Sequence, residues 1–211
     1  MAVTGLERKS ALTITADGSW LLYRAWSDTG PSRLMKISPQ AGSPQPVAAP
    51  NGEAVVHCPS SGSSCVASET GVRQVSFSLL DPASGRGREL AKTDLSAFPA
   101  DSEWDLSPDG SSAAFVANGI IRILSLKDGV RRDLKVDGWT QFESVAWSAD
   151  GNGLLASSLS PQSAILQVSR DGRAKVLWGK GFQAIRPSPD GRRLALAGRT
   201  TESNVWKIEN F

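Results

Sequence analysis

The sequence predicts an all-β fold, a β-propeller of four-stranded antiparallel blades, on three observations. One tight-turn motif recurs at a nearly constant period, alternating apolar runs follow each copy, and no run has the periodicity of an amphipathic helix. The motif is a short apolar strand, a small residue, a Pro or Ala, and then Asp-Gly: TITADG (13–18), WDLSPDG (104–110), VAWSADG (145–151) and IRPSPDG (185–191). CPSSGSSC (58–65) is a degenerate copy. Anchored on Gly18, Gly62, Gly110, Gly151 and Gly191, the copies stand 44, 48, 41 and 40 residues apart, the length of one propeller blade.

Each unit then supplies its strands in turn. Asp-Gly between apolar runs marks a hairpin, because glycine accepts a positive φ and the aspartate hydrogen-bonds the backbone that follows it. Asp17-Gly18, Asp109-Gly110, Asp150-Gly151 and Asp190-Gly191, with Gly62 in the degenerate copy, are therefore structural turns joining strands a and b. Strand b follows as residues 20–25, 65–68, 113–117, 154–157 and 194–198, and strand c as 33–37, 73–80, 120–126, 164–168 and 204–208. A short outer strand d is clearest at 88–91, 131–136 and 174–178. These units divide one domain, 1–211, into repeats at about 10–52, 53–101, 102–140, 141–180 and 181–211, with 1–9 able to act as a closing strand. The last unit runs out after its third strand, which leaves two arrangements open: a closed five-bladed ring, or the C-terminal part of a six- to eight-bladed one. An open ring would expose one apolar blade face and tend to associate.

Composition narrows the function. The 20 Gly and 12 Pro suit a turn-rich chain, and 7 Trp and 6 Phe supply burial to offset the entropy of ordering it. The 23 basic and 21 acidic residues leave a net charge of +2, too weak a field for a nucleic-acid partner. No 18-residue apolar span is present, and residues 1–10 lack a signal-peptide core, so this segment is not expected to insert in a membrane. His57 is the single histidine, which rules out a multi-histidine zinc site; no metal or other cofactor is expected.

Cys58 and Cys65 form the first local candidate site. A two-residue loop at Ser61-Gly62 places them directly opposite, within the roughly 4.5–5.5 Å between paired Cα atoms that a disulfide accepts. The alternative is two buried thiols in a reducing compartment. The second candidate is a polar column four residues before each anchor Asp, or before Ser61 in the degenerate copy: Thr13, His57, Asp105, Ala146 and Arg186. On strands lining the channel, His57, Asp105 and Arg186 are candidate contacts for a small polar or anionic ligand, with Arg186 as the charged donor. Their structural alternative is to bond one another or the backbone and lock blade to blade. Trp139, in a connecting segment, is a candidate exposed contact residue. No residue is assigned a catalytic role: the anchor aspartates repeat at one turn position, which is turn geometry rather than a glycosidase pair.

Several segments together carry a family resemblance: CPSSGSSCVASE (58–69), LLDPASGRGRELAK (79–92), WDLSPDG (104–110), VAWSADGNGLLASS (145–158), AKVLWGKG (174–181) and SPDGRRLALAGRTTESNVWKIENF (188–211). The repeats resemble TolB-type, WD-repeat-like propellers. The combination resembles the C-terminal sensor propeller of bacterial receptor-type serine/threonine protein kinases and related winged-helix regulators. That resemblance implies a non-catalytic sensing or protein-interaction module, with a protein, peptide or small polar ligand as partner. It also implies an extracytoplasmic location if a membrane-anchored parent carries the propeller, and a cytoplasmic one if the chain is made as written. A Gly-rich phosphate loop, HRD and DFG elements are absent from these residues, so kinase chemistry is not expected in them. The other readings are a small glycosidase-like propeller hydrolase and an oligomerisation scaffold.

Overall fold

The computed structural model describes residues 8–27, 30–47, 54–61, 64–98, 103–179 and 184–197. Every regular element among them is a strand. The first blade holds β1 (Arg8–Ile14), β2 (Leu21–Ser27), β3 (Gly30–Ile37) and β4 (Gln45–Pro46). The second holds β5 (Val55–His57), β6 (Cys65–Thr70), β7 (Gln74–Asp81) and β8 (Gly85–Asp94). The third holds β9 (Trp104–Leu106), β10 (Ser112–Ala117), β11 (Ile120–Ser125) and β12 (Arg131–Leu134). The fourth holds β13 (Thr140–Trp147), β14 (Gly153–Ser160), β15 (Ala164–Ser169) and β16 (Ala174–Trp178), and the fifth holds β17 (Ala184–Pro187) and β18 (Leu194–Ala197). Within each sheet the strands pair antiparallel in sequence order. The sheets are arranged as a β-propeller.

The core is not one mass but a layer between each pair of neighbouring blades. Leu22, Leu34 and Val47 of blade 1 meet Val56, Ala67 and Leu80 of blade 2. Val66, Val75 and Phe77 of blade 2 meet Trp104, Phe115 and Leu124 of blade 3. Ile121, Ile123 and Leu134 of blade 3 meet Trp147, Leu154 and Leu166 of blade 4. Leu155 and Ile165 of blade 4 meet Ile185 and Leu196 of blade 5. A strand caught between two layers is buried on both faces, which is why β10 reads Ser-Ala-Ala-Phe-Val-Ala instead of alternating with polar residues. Ala113 and Phe115 face blade 2 and Ala114 faces blade 4, all three fully buried.

The sequence-derived strands fall on these elements with small shifts. β13 begins at Thr140, one residue before the boundary taken from the repeat, and β8 extends to both sides of 88–91. The hairpin joining a to b is longer than a two-residue loop. In blade 1 the N–H of Thr15 donates to the carbonyl of Trp20 (2.9 Å), so residues 16–19 form the loop with Asp17-Gly18 at its centre. The third strand expected at 204–208, Trp206 within it, Gly62, and residues 1–7 of the closing strand lie outside the described residues.

Candidate functional site at the hub

The a–b turns are built from a motif larger than Asp-Gly. The hydroxyl two residues before each aspartate donates to its Oδ1: Thr15 to Asp17, Ser107 to Asp109 and Ser148 to Asp150 at 2.6 Å, and Ser188 to Asp190 at 2.5 Å. The same Oδ1 accepts the N–H two residues later, from Ser19, Ser111 and Asn152 at 3.0 Å and from Arg192 at 3.1 Å. The hydroxyl oxygen in turn accepts the N–H five residues on, 2.9–3.0 Å from Trp20, Ser112, Gly153 and Arg193. Gly18, Gly110, Gly151 and Gly191 sit at φ between 68° and 72°, where a side chain would strain the turn. These bonds favour the charged carboxylate and hold Asp17 down at about 2, the hydroxyl of Thr15 acting most strongly. Asp109, Asp150 and Asp190 are lowered for the same reason. Sequence reasoning read the hydroxyl residue only as small; the signal it passed over is that all four Asp-Gly copies carry Thr or Ser there.

Because the bonds form a closed network, losing one leaves polar groups unmatched. Ser107→Ala is expected to cost about 1 kcal/mol and lower Tm by about 2–4 °C, whereas Ser107→Thr stays near the parent. Thermal melts of the two variants check this, and equal melts would show the hydroxyl to be dispensable.

Two of the hub positions bond to the backbone of the next blade. Thr13 Oγ1 accepts the N–H of Cys58 on blade 2 (3.4 Å). Asp105 Oδ2 accepts the N–H of Trp147 on blade 4 (2.7 Å). In both cases the donor is the residue just after the hub position of the following blade. The blade 4 to blade 5 seat matches in reverse: Ala146 offers no acceptor, and Pro187 has no N–H to satisfy. Thr13 and Asp105 are thus each bonded to the backbone of the following blade.

His57, Asp105 and Arg186 come together at this hub. His57 Nδ1 stands 3.7 Å from Asp105 Oδ1, too far for a hydrogen bond, and its ring meets Trp104 edge-on with centroids 4.4 Å apart. Burial first and the Arg186 charge second push His57 down to about 3, so it is neutral at ordinary pH. Burial raises Asp105, opposed by Arg186 and by the N–H groups of Trp147 and Leu106. Arg186 is exposed; its Nη1 donates to the carbonyl of Ile185 (3.1 Å). The arrangement sets an exposed cation within electrostatic reach of a neutral imidazole and a carboxyl already bonded to the backbone of blade 4. Among the described residues no group of three or more His, Cys, Asp or Glu side chains is placed to hold a metal ion.

Cys58 and Cys65 are joined, with Cα atoms 4.1 Å apart. The register of β5 on β6 pairs Val55 with Ser68, Val56 with Ala67 and His57 with Val66, so residues 58 and 65 continue the ladder. A four-residue loop about the same centre keeps the same pairs as a two-residue one, so the loop's length does not alter which cysteines face each other. Trp139 is half-buried against the layer between blades 3 and 4. The more exposed tryptophan is Trp178, 57% accessible at the end of the outer strand β16; a strand position gave no sign of that exposure.

The fold has counterparts among solved structures. TolB from Acinetobacter baumannii superposes on 92% of this chain with TM-score 0.70 and 15% identity, over 49% of its own length. The fold is a TolB-like β-propeller. A putative TolB from Agrobacterium tumefaciens gives TM-score 0.66 at 23% identity, covering 90% of this chain and 69% of that one. The nidogen/laminin complex gives 0.61 at 13% identity, covering 87% and 69%. The propeller thus spans about half the length of the Acinetobacter protein. No protein-family model and no curated protein matches the chain. Among the described residues of the propeller no helix is long and apolar enough to cross a membrane.

Proposed function

We propose that this propeller is a non-catalytic sensing and protein-interaction module, the sensor portion of a bacterial serine/threonine kinase-like or transcriptional-regulator-like signalling protein. The observation that carries the reading is the state of the hub. Among the described residues of the hub column the one carboxyl is Asp105, half-buried and already accepting the N–H of Trp147, while His57 is neutral and meets Trp104 edge-on. Acid–base hydrolysis needs two groups poised against each other, and this hub offers one committed group beside an accessible Arg186. The kinase-like parentage rests on the combined resemblance of residues 58–69, 79–92, 104–110, 145–158, 174–181 and 188–211. The Cys58–Cys65 bond favours an oxidising compartment, as a sensor facing outward from the cytoplasm would have. Protein partners accord with the solved neighbour in the nidogen/laminin complex. The site proposed for a peptide carboxylate or other anionic group is Arg186, through charge-assisted hydrogen bonds.

A peptide array and a panel of chromogenic glycosides and peptides test the reading together. The expected result is binding of acidic or carboxyl-terminal peptides that Arg186→Glu abolishes, with no turnover of any substrate. Turnover that disappears in Asp105→Asn would replace this reading with a hydrolase, and binding indifferent to Arg186 would remove the hub as the site.

A further inference from the structure

Every blade-to-blade seat in this molecule uses the same two half-surfaces. The leading half is the pair of residues flanking the hub position on the innermost strand, which faces the preceding blade. The trailing half is the hub position with its cross-strand partner, which faces the following blade. In blades 2 to 5 the first residue of the leading pair is Val56, Trp104, Val145 or Ile185, each 1–5% exposed. In blade 1 it is Leu12, 67% exposed. The second residue of the pair is 6% exposed at Leu106 and 3% at Trp147, but 50% at Ile14.

The trailing half shows the converse. The cross-strand partners of the hub positions are Leu22, Val66, Ala114 and Leu155 in blades 1 to 4, and each is 0–6% exposed. In blade 5 the partner of Arg186 is Ala195, which is exposed. Among the described residues, one molecule therefore carries both halves of an interface formed four times internally, and each half is left exposed. Leu12 and Ile14 supply large apolar side chains; Ala195 and Ala197 supply the small ones against which such side chains seat.

We infer that the trailing face of blade 5 in one copy seats on the leading face of blade 1 in a second copy, head to tail. The occupant is a second copy because the complementary half-surface is present on this chain and continues the inter-blade packing already formed. Two different patches meet, so the contact is heterologous: a pair of copies still has one free face of each kind and adds further copies.

Sedimentation velocity and light scattering on the purified protein test this. The expected result is a mass above the single-chain 22.3 kDa that rises with concentration. Leu12→Asp spoils the leading face alone and Ala195→Arg the trailing face alone, so each variant by itself is expected to be monomeric. Mixed in equal amounts, they still share one intact seat and are expected to form a pair of chains and nothing larger. Both positions are exposed, and circular dichroism with a thermal melt checks that each variant folds; Ile14→Asp replaces Leu12→Asp if the latter does not. A wild-type mass that stays at one chain at every concentration overturns the inference. So does association that survives either substitution, or a mixture that stays monomeric. Leu12→Asp leaves Arg186 and its cross-strand partner Ala195 unchanged, so peptide binding by that monomer reports on the hub separately from this seat.

Discussion

Relative to His57→Gln, the parent protein is expected to lose about 3 kcal/mol of stability between pH 7 and pH 4. The cause is a neutral imidazole set edge-on to Trp104 with its side chain 18% exposed. Its pKa falls from 6.5 to about 3 on folding, by burial first and the Arg186 charge second. A base whose folded pKa is depressed binds fewer protons folded than unfolded. Its contribution is complete above pH 6.5 and is withdrawn as pH falls toward 3. Asp105 acts in the opposite sense, because burial raises its carboxyl and the folded state takes up that proton more readily. The readout is therefore the difference in the pH dependence of urea unfolding between parent and His57→Gln. Parallel curves through pH 4–6.5 would mean that water reaches His57 freely. Below pH 4 both proteins are expected to weaken together, as Asp17, Asp109, Asp150 and Asp190, all lowered by their turns, are forced to protonate.

Removing the disulfide as Cys58→Ala/Cys65→Ala is expected to cost about 2–3 kcal/mol, the chain-entropy value for so short a loop. The bond closes a segment whose ends are seven positions apart. Blade 2 has no substitute for it: where the other turns have a hydroxyl and an aspartate, this one has Pro59 and Ser61. The effect should reach blade 3, because Ser60 and Ser61 donate to the carbonyl of Pro108 (3.3 and 3.2 Å) and Pro59 lies 3.6 Å from where a Cβ on Gly110 would sit. Reduction of the parent protein should reproduce the loss in a thermal melt. A melt unchanged by both treatments would show that packing around Cys65, 1% exposed, holds the hairpin unaided.

Much of this was legible before any coordinates because the repeat applies one rule five times. Period, turn chemistry and strand order follow from local sequence, and the pairing of Cys58 with Cys65 follows from symmetry about the loop centre. Roles that depend on a neighbour's backbone were harder to read. Thr13 and Asp105 looked like channel-lining groups, and only the adjacent blade reveals that each accepts an N–H from it. The match of Ala146 with Pro187 lay in the sequence as two unrelated residues until the blades were brought side by side.

The sequence by itself determined that the chain makes small antiparallel sheets, four of them with an Asp-Gly turn between the first two strands, because those interactions close within a few residues. The tertiary structure decided which face of each sheet is covered. Leu12 and Val56 are equivalent aliphatic residues at the same repeat position, yet one is 67% exposed and the other 3%. Burial between blades is set by what stands next to a sheet, and no residue within that sheet encodes it.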